Sequence, residues 1–285
     1  MRILKYLTVI ASVMFLTSCD KHGLDLADGN EQPMDENMAE LRIHYAEPIK
    51  TGAASRFDSL YINNKLYANS TNAFGATNVM PNSNKFYQAP VGTLNMKCWR
   101  KSTDPVYDFD FTASKGKQEV FIYDLEQAPI VLNTSFPYYS TAASGTAATW
   151  GADSTAYVEF YNFLYEVYED GNKVPYEGTL QLQYQDLRDA EKWHNIGEPV
   201  AFGQASGRAE VRIIKSAGVN NGTRTVKYRM VDAEGNPLKY ITSKGVEAEY
   251  SLNYDTTNGR VYMFYSWGIR TSKTIVTSLV GKAIH

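Results

Sequence analysis

Few residues in this 285-residue chain could do acid–base, nucleophilic or metal chemistry: four His, two Cys and a few closely spaced carboxylates. No two His are spaced for a shared metal or a proton relay. His22 lies in an acidic stretch, His44 on the polar side of an alternating run, His194 beside Trp193 in a polar segment, and His285 at the last position. All four read as surface residues. Cys98 shares an alternating face with Leu94 and Met96, which predicts a small buried core residue; no base stands near it to make a nucleophile. Asp108 and Asp110 project to one side of a strand, with Tyr107, Phe109 and Phe111 on the other. A glycosidase needs two carboxylates facing each other across a cleft, normally from different elements, so this pair reads as an exposed polar face. No phosphate-cradling Gly loop, zinc-protease helix motif or nucleophile elbow occurs. The expectation is therefore no catalytic residue, no metal, no cofactor and no enzyme. Trp99, outward on its strand, and Trp193, in a loop, are the candidate ligand-binding residues, because indole rings stack on sugars or anchor protein interfaces.

The elements that would position these residues are strands. Leu41, Ile43 and Tyr45 alternate with Arg42 and His44, and Leu180, Leu182 and Tyr184 alternate with Gln181, Gln183 and Gln185. Val246, Ala248, Tyr250, Leu252 and Tyr254 form another apolar stripe. Asn63-Asn64, Asp170-Gly171-Asn172 and Glu234-Gly235-Asn236-Pro237 carry turn chemistry. The 21 Tyr and 12 Phe favour pleated, half-buried surfaces. One short helical turn is plausible, near Gln185 to Trp193. Many short strands with regular turns predict an all-β sandwich architecture.

The start of the chain is different. Arg2 and Lys5 precede an apolar run from Tyr6 to Leu16, then Thr17, Ser18 and Cys19. A positive start, a short apolar run and a small-residue cleavage site mark a signal peptide over 1–18. Leu16-Thr17-Ser18-Cys19 resembles the lipobox of bacterial lipoproteins. That resemblance implies acylation of Cys19 and stable anchoring to a membrane by several acyl chains. Residues 19–38 form an acidic tether: Asp20, Asp25, Asp28, Glu31, Asp35 and Glu36, with Glu40 just beyond, stand against Lys21 alone. Acidic residues soon after a lipidated Cys resemble signals for the outer face of an outer membrane, although a plain solvated spacer has the same composition. The net charge is −3, and no basic stripe appears, so nucleic acid is not an expected partner.

The body reads as a duplication. Phe86 to Gly92 parallels Phe202 to Gly207, which sets Leu94, Met96 and Cys98 opposite Ala209, Val211 and Ile213. Ser114-Lys115-Gly116 parallels Ser243-Lys244-Gly245, and Leu41 to Tyr45 parallels Val158 to Phe163. Extra residues in the second copy are assigned to the turns at 216–222 and 232–237. A Ser-, Thr-, Ala- and Gly-rich linker at 136–154 separates domains over 39–135 and 155–285. The opening strand Leu41 to Pro48, the segment Phe57 to Tyr67, and Ala89-Pro90-Val91-Gly92-Thr93 leading into a strand resemble a domain-of-unknown-function family of tandem immunoglobulin-like sandwiches found in bacterial lipoproteins. The resemblance is good over the first half and weaker over the second, where Ala205-Ser206-Gly207 lacks the Pro. It implies a fold and a location, and no catalytic residues.

Together these features predict a non-catalytic lipoprotein of the cell envelope, anchored to the outer membrane through Cys19 and exposed at the surface, presenting two sandwiches for binding or adhesion. Its expected partners are the membrane and a polysaccharide or a surface protein. A glycan-binding accessory of a polysaccharide uptake system is one alternative and predicts Trp and Tyr gathered on one face. A pilus-type structural subunit is another, weakened because no Arg lies between Cys19 and Arg42 for proteolytic activation. Asp58-Ser59-Leu60, Asp153-Ser154-Thr155 and Asp255-Thr256-Thr257 resemble an O-glycosylation acceptor pattern of exported bacterial proteins.

Overall fold

The computed structural model describes residues 37–48, 56–68, 74–75, 78–81, 86–100, 104–134, 153–169, 172–186, 192–214, 223–257, 260–275 and 277–283. Cys19, the leader, the tether up to residue 36, His22, His285 and most of the 136–154 linker lie outside these residues. The described chain is all-β. Its first strands are β1 (Met38–Tyr45), β2 (Arg56–Phe57), β3 (Ser59–Ile62), β4 (Lys65–Ala68), β5 (Phe74–Gly75), β6 (Val79–Met80), β7 (Tyr87–Pro90), β8 (Gly92–Trp99), β9 (Tyr107–Ala113), β10 (Gly116–Ile122) and β11 (Ile130–Asn133). Then follow β12 (Asp153–Glu169), β13 (Asn172–Pro175), β14 (Leu180–Gln185), β15 (Trp193–Val200), β16 (Ala205–Ile214), β17 (Thr223–Val231), β18 (Lys239–Ile241), β19 (Glu247–Glu249), β20 (Ser251–Thr257), β21 (Val261–Ile269) and β22 (Ser278–Ala283). β12 begins at Asp153, so the second sandwich takes the last two residues of the expected linker into a strand.

Four sheets make two sandwiches. Sheet I has the order β11-β10-β1-β6, with β7 also on β1; sheet II is β4-β3-β8-β9. Sheet III is β13-β12-β21-β22, with β16 on β12; sheet IV is β15-β14-β17-β20. Alternation builds the cores. Leu41, Ile43 and Tyr45 of β1 meet Leu94, Met96 and Cys98 of β8 between sheets I and II. Val158 and Phe160 of β12 meet Leu182, Tyr228 and Met230 between sheets III and IV. Each sandwich opens with a strand lying parallel to its seventh main strand, β1 beside β10 and β12 beside β21. Parallel neighbours cannot be joined by a hairpin, so each pair closes its sandwich through a long excursion across the opposite sheet.

The duplication is visible in the pairing. β1, β3, β4, β7, β8, β9, β10 and β11 match β12, β14, β15, β16, β17, β20, β21 and β22 in order and in every pairing among themselves, with β6 on β1 and β13 on β12 as additions peculiar to each copy. The start-strand match of Leu41 to Tyr45 with Val158 to Phe163 agrees with this. Two of the other sequence landmarks do not. Met96 and Cys98 of β8 face Ile62 and Leu60, as Tyr228 and Met230 of β17 face Tyr184 and Leu182. The counterpart of β8 is therefore β17, and Ala209, Val211 and Ile213 belong to β16. Ser243-Lys244-Gly245 is the tip of the β18–β19 hairpin, closed by Gly245 N donating to Thr242 O at 2.8 Å. That hairpin is inserted between β17 and β20 and has no equivalent at Ser114-Lys115-Gly116, which joins β9 to β10. Apolar alternation is the same on every core strand, so a match of pattern alone can slide by one whole strand.

Other local expectations hold or fail for identifiable reasons. Asn63 and Asn64 have φ of 48° and 63°, and Ile62 pairs with Lys65, a two-residue hairpin that needs left-handed residues. Gln181 is buried, its Nε2 donating to Ile196 O at 2.8 Å, where a solvent-facing glutamine was expected. Val246 is 62 % exposed, because the stripe beginning there is split between the inserted hairpin and β20. Trp193 and His194 begin β15, paired with Gln185 and Tyr184, and are not in a loop.

His44 is the largest departure. It does point away from the first core, but it is 1 % exposed. The outer face of sheet I packs against the outer face of sheet III. Ala46, Phe121, Ile130 and Leu132 from the first sandwich meet Tyr161, Phe163, Val261, Met263, Tyr265 and Trp267 from the second. Period-two alternation states which side chains share a face; it does not state whether water or a second sheet covers that face.

Candidate functional site

Three places bring functional groups together: the junction between sheets I and III, and the open faces of sheets II and IV.

At the junction the parallel register sets Arg42 beside Glu119 and His44 beside Phe121. Arg42 Nε donates to Glu119 Oε2 at 2.9 Å, and its Nη2 to Oε1. His44 Nε2 lies 2.6 Å from Glu119 Oε2. Burial alone would raise the Glu119 carboxyl; Arg42 and His44 overcome that and hold it at about 2. Burial lowers His44, against the pull of Glu119, so its ring is neutral. An ionised Glu119 can only accept, so the imidazole proton sits on Nε2. The ring stacks on Phe121 at 4.5 Å, and Phe121 stacks on Phe163 at 4.3 Å, carrying the contact across to the second sandwich. Further polar ties cross the same boundary. Tyr165 OH donates to Tyr123 O at 3.1 Å and Trp267 Nε1 to Glu47 O at 3.1 Å. Lys173 Nζ reaches Glu47 Oε1 at 2.6 Å and Asp124 Oδ2 at 3.2 Å. Desolvation raises the Glu47 carboxyl to about 7, although Lys173 opposes the shift. The Arg42–Glu119–His44 bonds lie within sheet I, buried under the aromatic layer, whereas Tyr165, Trp267 and Lys173 make the polar ties that cross to it. The run Val261 to Ile269, nine residues without a charge and buried throughout, is the sequence signal for a strand covered on both faces.

The open face of sheet II carries Trp99, Asp108 and Asp110. The pairing of β8 with β9 sets Lys97 beside Asp108 and Asn95 beside Asp110. Asn95 Nδ2 donates to Oδ1 of both aspartates at 2.9 Å, and Lys97 Nζ is 3.2 Å from Asp108 Oδ2. The hydrogen bond from Asn95 holds the Asp108 carboxyl below its usual range. Asp108 and Asp110 are thus neighbours on one strand of an open sheet, Asp108 paired with Lys97 and both bonded by Asn95, and do not face each other across a cleft. Trp99 packs edge-on against Tyr61 at 5.0 Å. Cys98, beneath this face, is fully buried, and burial pushes its thiol well up.

The open face of sheet IV carries Trp193. The guanidinium of Arg229 lies 4.0 Å from its ring centroid and Lys227 Nζ 5.7 Å. Arg229 Nε donates to Gln183 Oε1 at 2.9 Å, and Gln183 Nε2 donates to Asn195 Oδ1 at 2.8 Å. The structure therefore places Trp99 and Trp193 on different sandwiches, Trp99 with Tyr61 on sheet II and Trp193 with Arg229 on sheet IV. Arg229 was missed by sequence reasoning, because strand alternation does not give the lateral neighbours of Trp193. Among the described residues, no group of three or more His, Cys, Asp or Glu could hold a metal ion. Thr256, in one of the three acceptor-like triplets, is buried with its hydroxyl 2.8 Å from Tyr228 OH, which closes it to glycosylation in the folded chain.

No family model matches the chain, and no curated protein matches it. Among solved structures it is similar to the minor pilin of Streptococcus agalactiae, at 11 % identity and a TM-score of 0.21, over 84 % of this chain and 99 % of that one. It is also similar to a candidate cell adhesion protein from Bacteroides ovatus, at 10 % identity and a TM-score of 0.19, over 86 % of this chain and 97 % of that one. At such scores neither similarity carries an argument about this chain.

Proposed function

We propose that this chain is a non-catalytic, lipid-anchored envelope protein that holds two β-sandwiches at the cell surface as one rigid body for binding or adhesion. The observation that supports this reading most is the junction. Sheet I and sheet III bury a continuous aromatic layer, an Arg–Glu–His cluster and the Lys173 contact to Glu47 and Asp124 between them. A stiff module of this kind keeps its outer sheets, II and IV, in fixed relation on a tether, which suits presentation of a surface. The leader and the lipobox-like Leu16-Thr17-Ser18-Cys19 supply the anchor. Cells grown with an alkyne fatty acid test it: the chain takes the label, Cys19→Ala does not, and protease added to intact cells digests the labelled protein. An unlabelled wild-type chain would sink the anchored reading, and a labelled but protected one would sink the surface location.

A second reading, a glycan-binding lipoprotein, is favoured by one observation. Trp193, Arg229, Gln183 and Asn195 form a connected polar and aromatic patch on an open sheet face, the combination of stacking surface and hydrogen-bonding groups that sugars require.

A further inference from the structure

We infer that the open face of sheet IV binds an acidic polysaccharide, a sugar ring stacking on Trp193 while its carboxylate or sulfate is drawn to Arg229 and Lys227. The inference rests on the glycan-binding reading and adds the face and the chemical class. Register assembles the patch. β14 pairs Gln185 with Trp193 on one side and Gln183 with Arg229 on the other, so the indole reaches across β14 to the cations of β17. Trp193 and Arg229 are half-buried and Lys227 is exposed. Arg229 is the stiffer of the two cations. Its Nε is spent on Gln183, and its planar group lies against the indole, which leaves its terminal nitrogens as a donor fork of the shape a carboxylate or sulfate accepts.

The charge balance of the patch points the same way. Among the described residues, neither Lys227 nor Arg229 makes an ion pair. Asp255, on the neighbouring strand, already accepts the Thr225 hydroxyl at 2.6 Å. Glu249 lies in the inserted hairpin, close enough to act on Arg229 through its field without a contact. Burial of the guanidinium lowers its proton affinity, a cost that a bound anion would offset. Sheet II provides the contrast. There Lys97 is taken by Asp108, and Asp110 adds a further carboxylate, so among the described residues that strand pair offers an anion no unpaired cation. The chain as a whole is negative, −3, so attraction to an acidic polymer would come from a local patch and not from bulk charge.

The test is affinity electrophoresis of the full-length lipoprotein, extracted in a mild non-ionic detergent, through gels containing polygalacturonate, chondroitin sulfate or neutral dextran. The expected result is retardation by one or both acidic polymers, none by dextran, and release as salt is raised. Trp193→Ala and Arg229→Gln should each weaken retention about tenfold, Lys227→Gln by about threefold, and Trp99→Ala not at all. Lys227→Gln changes only an exposed side chain, so its effect cannot be put down to misfolding, and thermal melts check the other two. Retention by polygalacturonate alone selects a carboxylate, and by chondroitin sulfate alone a sulfate-bearing chain. Retention by dextran equal to that by the acidic polymers overturns the acidic class and leaves the glycan reading standing. No retention by any polymer overturns both. Retention unchanged in Trp193→Ala and Arg229→Gln overturns the site.

Discussion

The two sandwiches share a strand order but not the chemistry of their facing outer surfaces. The first brings charge to the junction: Arg42, Glu119, His44, Glu47 and Asp124. The second brings mostly aromatic and apolar bulk, Tyr161, Phe163, Val261, Met263, Tyr265 and Trp267, with Lys173, Lys282 and the buried Glu159 as charged groups on that face. The inner faces remain interchangeable in kind, each a packed layer of aliphatic and aromatic side chains. Once two copies of a fold are joined, the inner faces still have only to fill space, whereas the outer faces become free to specialise against each other. An aromatic layer can be covered by any apolar surface. A buried carboxylate needs its particular partners: Glu119 finds Arg42 and His44 within sheet I, whereas Glu47 and Asp124 find Lys173 across the boundary, and there charge ties one sandwich to the other.

Removing Glu119 should have the largest effect. Glu119→Ala leaves the guanidinium of Arg42 buried without its counter-charge, and His44 Nε2 without an acceptor. The expected loss is about 3–5 kcal/mol, the cost of breaking a buried pair from one side. Denaturant unfolding should show more than a shifted midpoint. The chain with an intact junction should unfold in one transition, whereas the variant should show two, one for each sandwich. A single transition displaced by less than about 1 kcal/mol would mean that the Arg42–Glu119–His44 cluster is dispensable, and that the aromatic layer and the Lys173 contacts suffice to join the sandwiches.

The same comparison explains what could be read from sequence. Leu41, Ile43 and Tyr45 were legible as core because alternation is a local property. So were Cys98 as a buried thiol, and the Asn63-Asn64 hairpin, whose two asparagines hold the left-handed conformation that the turn demands. The junction was not legible from β1, where Arg42 and His44 look like any solvent-facing pair. Only the uncharged run Val261 to Ile269 hinted that one strand is covered on both sides. Trp99 was correctly placed on an outward face. Trp193 was placed in a loop because His194 and Asn195 mask the apolar positions of β15, and its real neighbours, Arg229 and Gln183, come from strands distant in sequence. Duplication was legible as a whole and misaligned in detail, because the core faces of β8 and β16 carry the same apolar alternation.

A pH series can sharpen the comparison further, since the junction holds acids shifted in opposite directions. Glu47 is raised to about 7 from an ordinary 4.5. Its folded state binds the proton more tightly than the unfolded chain does. That contribution to stability is whole below about 4.5 and is lost as pH rises through about 7. Glu119, held at about 2, behaves oppositely: its contribution is present above about 4.5 and is lost as pH falls towards 2. His44, lowered by burial, also disfavours the folded state as pH falls below its ordinary 6.5. Subtracting one pH–stability profile from another isolates a single group. Glu47→Gln should lose the downward slope between pH 4.5 and 7 while keeping the acid limb due to Glu119 and His44. Melting temperatures across pH 3–8 would check this. A Glu47→Gln profile parallel to wild type through pH 4.5–7 would mean that Lys173 holds Glu47 as an ordinary carboxylate against burial and the field of Asp124.

The smallest effect belongs to a feature that the first sandwich has and the second handles differently. β3 and β4 turn in two residues, Asn63 and Asn64, whereas the connection between β14 and β15 is longer and is closed by Asp186 N donating to Lys192 O at 3.1 Å. The tight turn puts both asparagines at positive φ, but their side chains differ in use. Asn63 Oδ1 accepts from Asn95 N at 2.8 Å, while Asn63 N donates to Asn95 O at 2.9 Å, tying the turn to β8. Asn64 is exposed, and its left-handed backbone is one that glycine adopts without strain. Asn64→Gly should therefore stabilise the chain by about 0.5 kcal/mol, the relief of the left-handed residue less the added freedom of the unfolded state. Asn63→Gly relieves similar strain but removes a hydrogen bond, and should destabilise by about 0.5–1 kcal/mol. Urea midpoints resolve changes of this size. If both substitutions raised the midpoint equally, the turn would be held by backbone geometry alone, and the tie between Asn63 and β8 would contribute nothing to it.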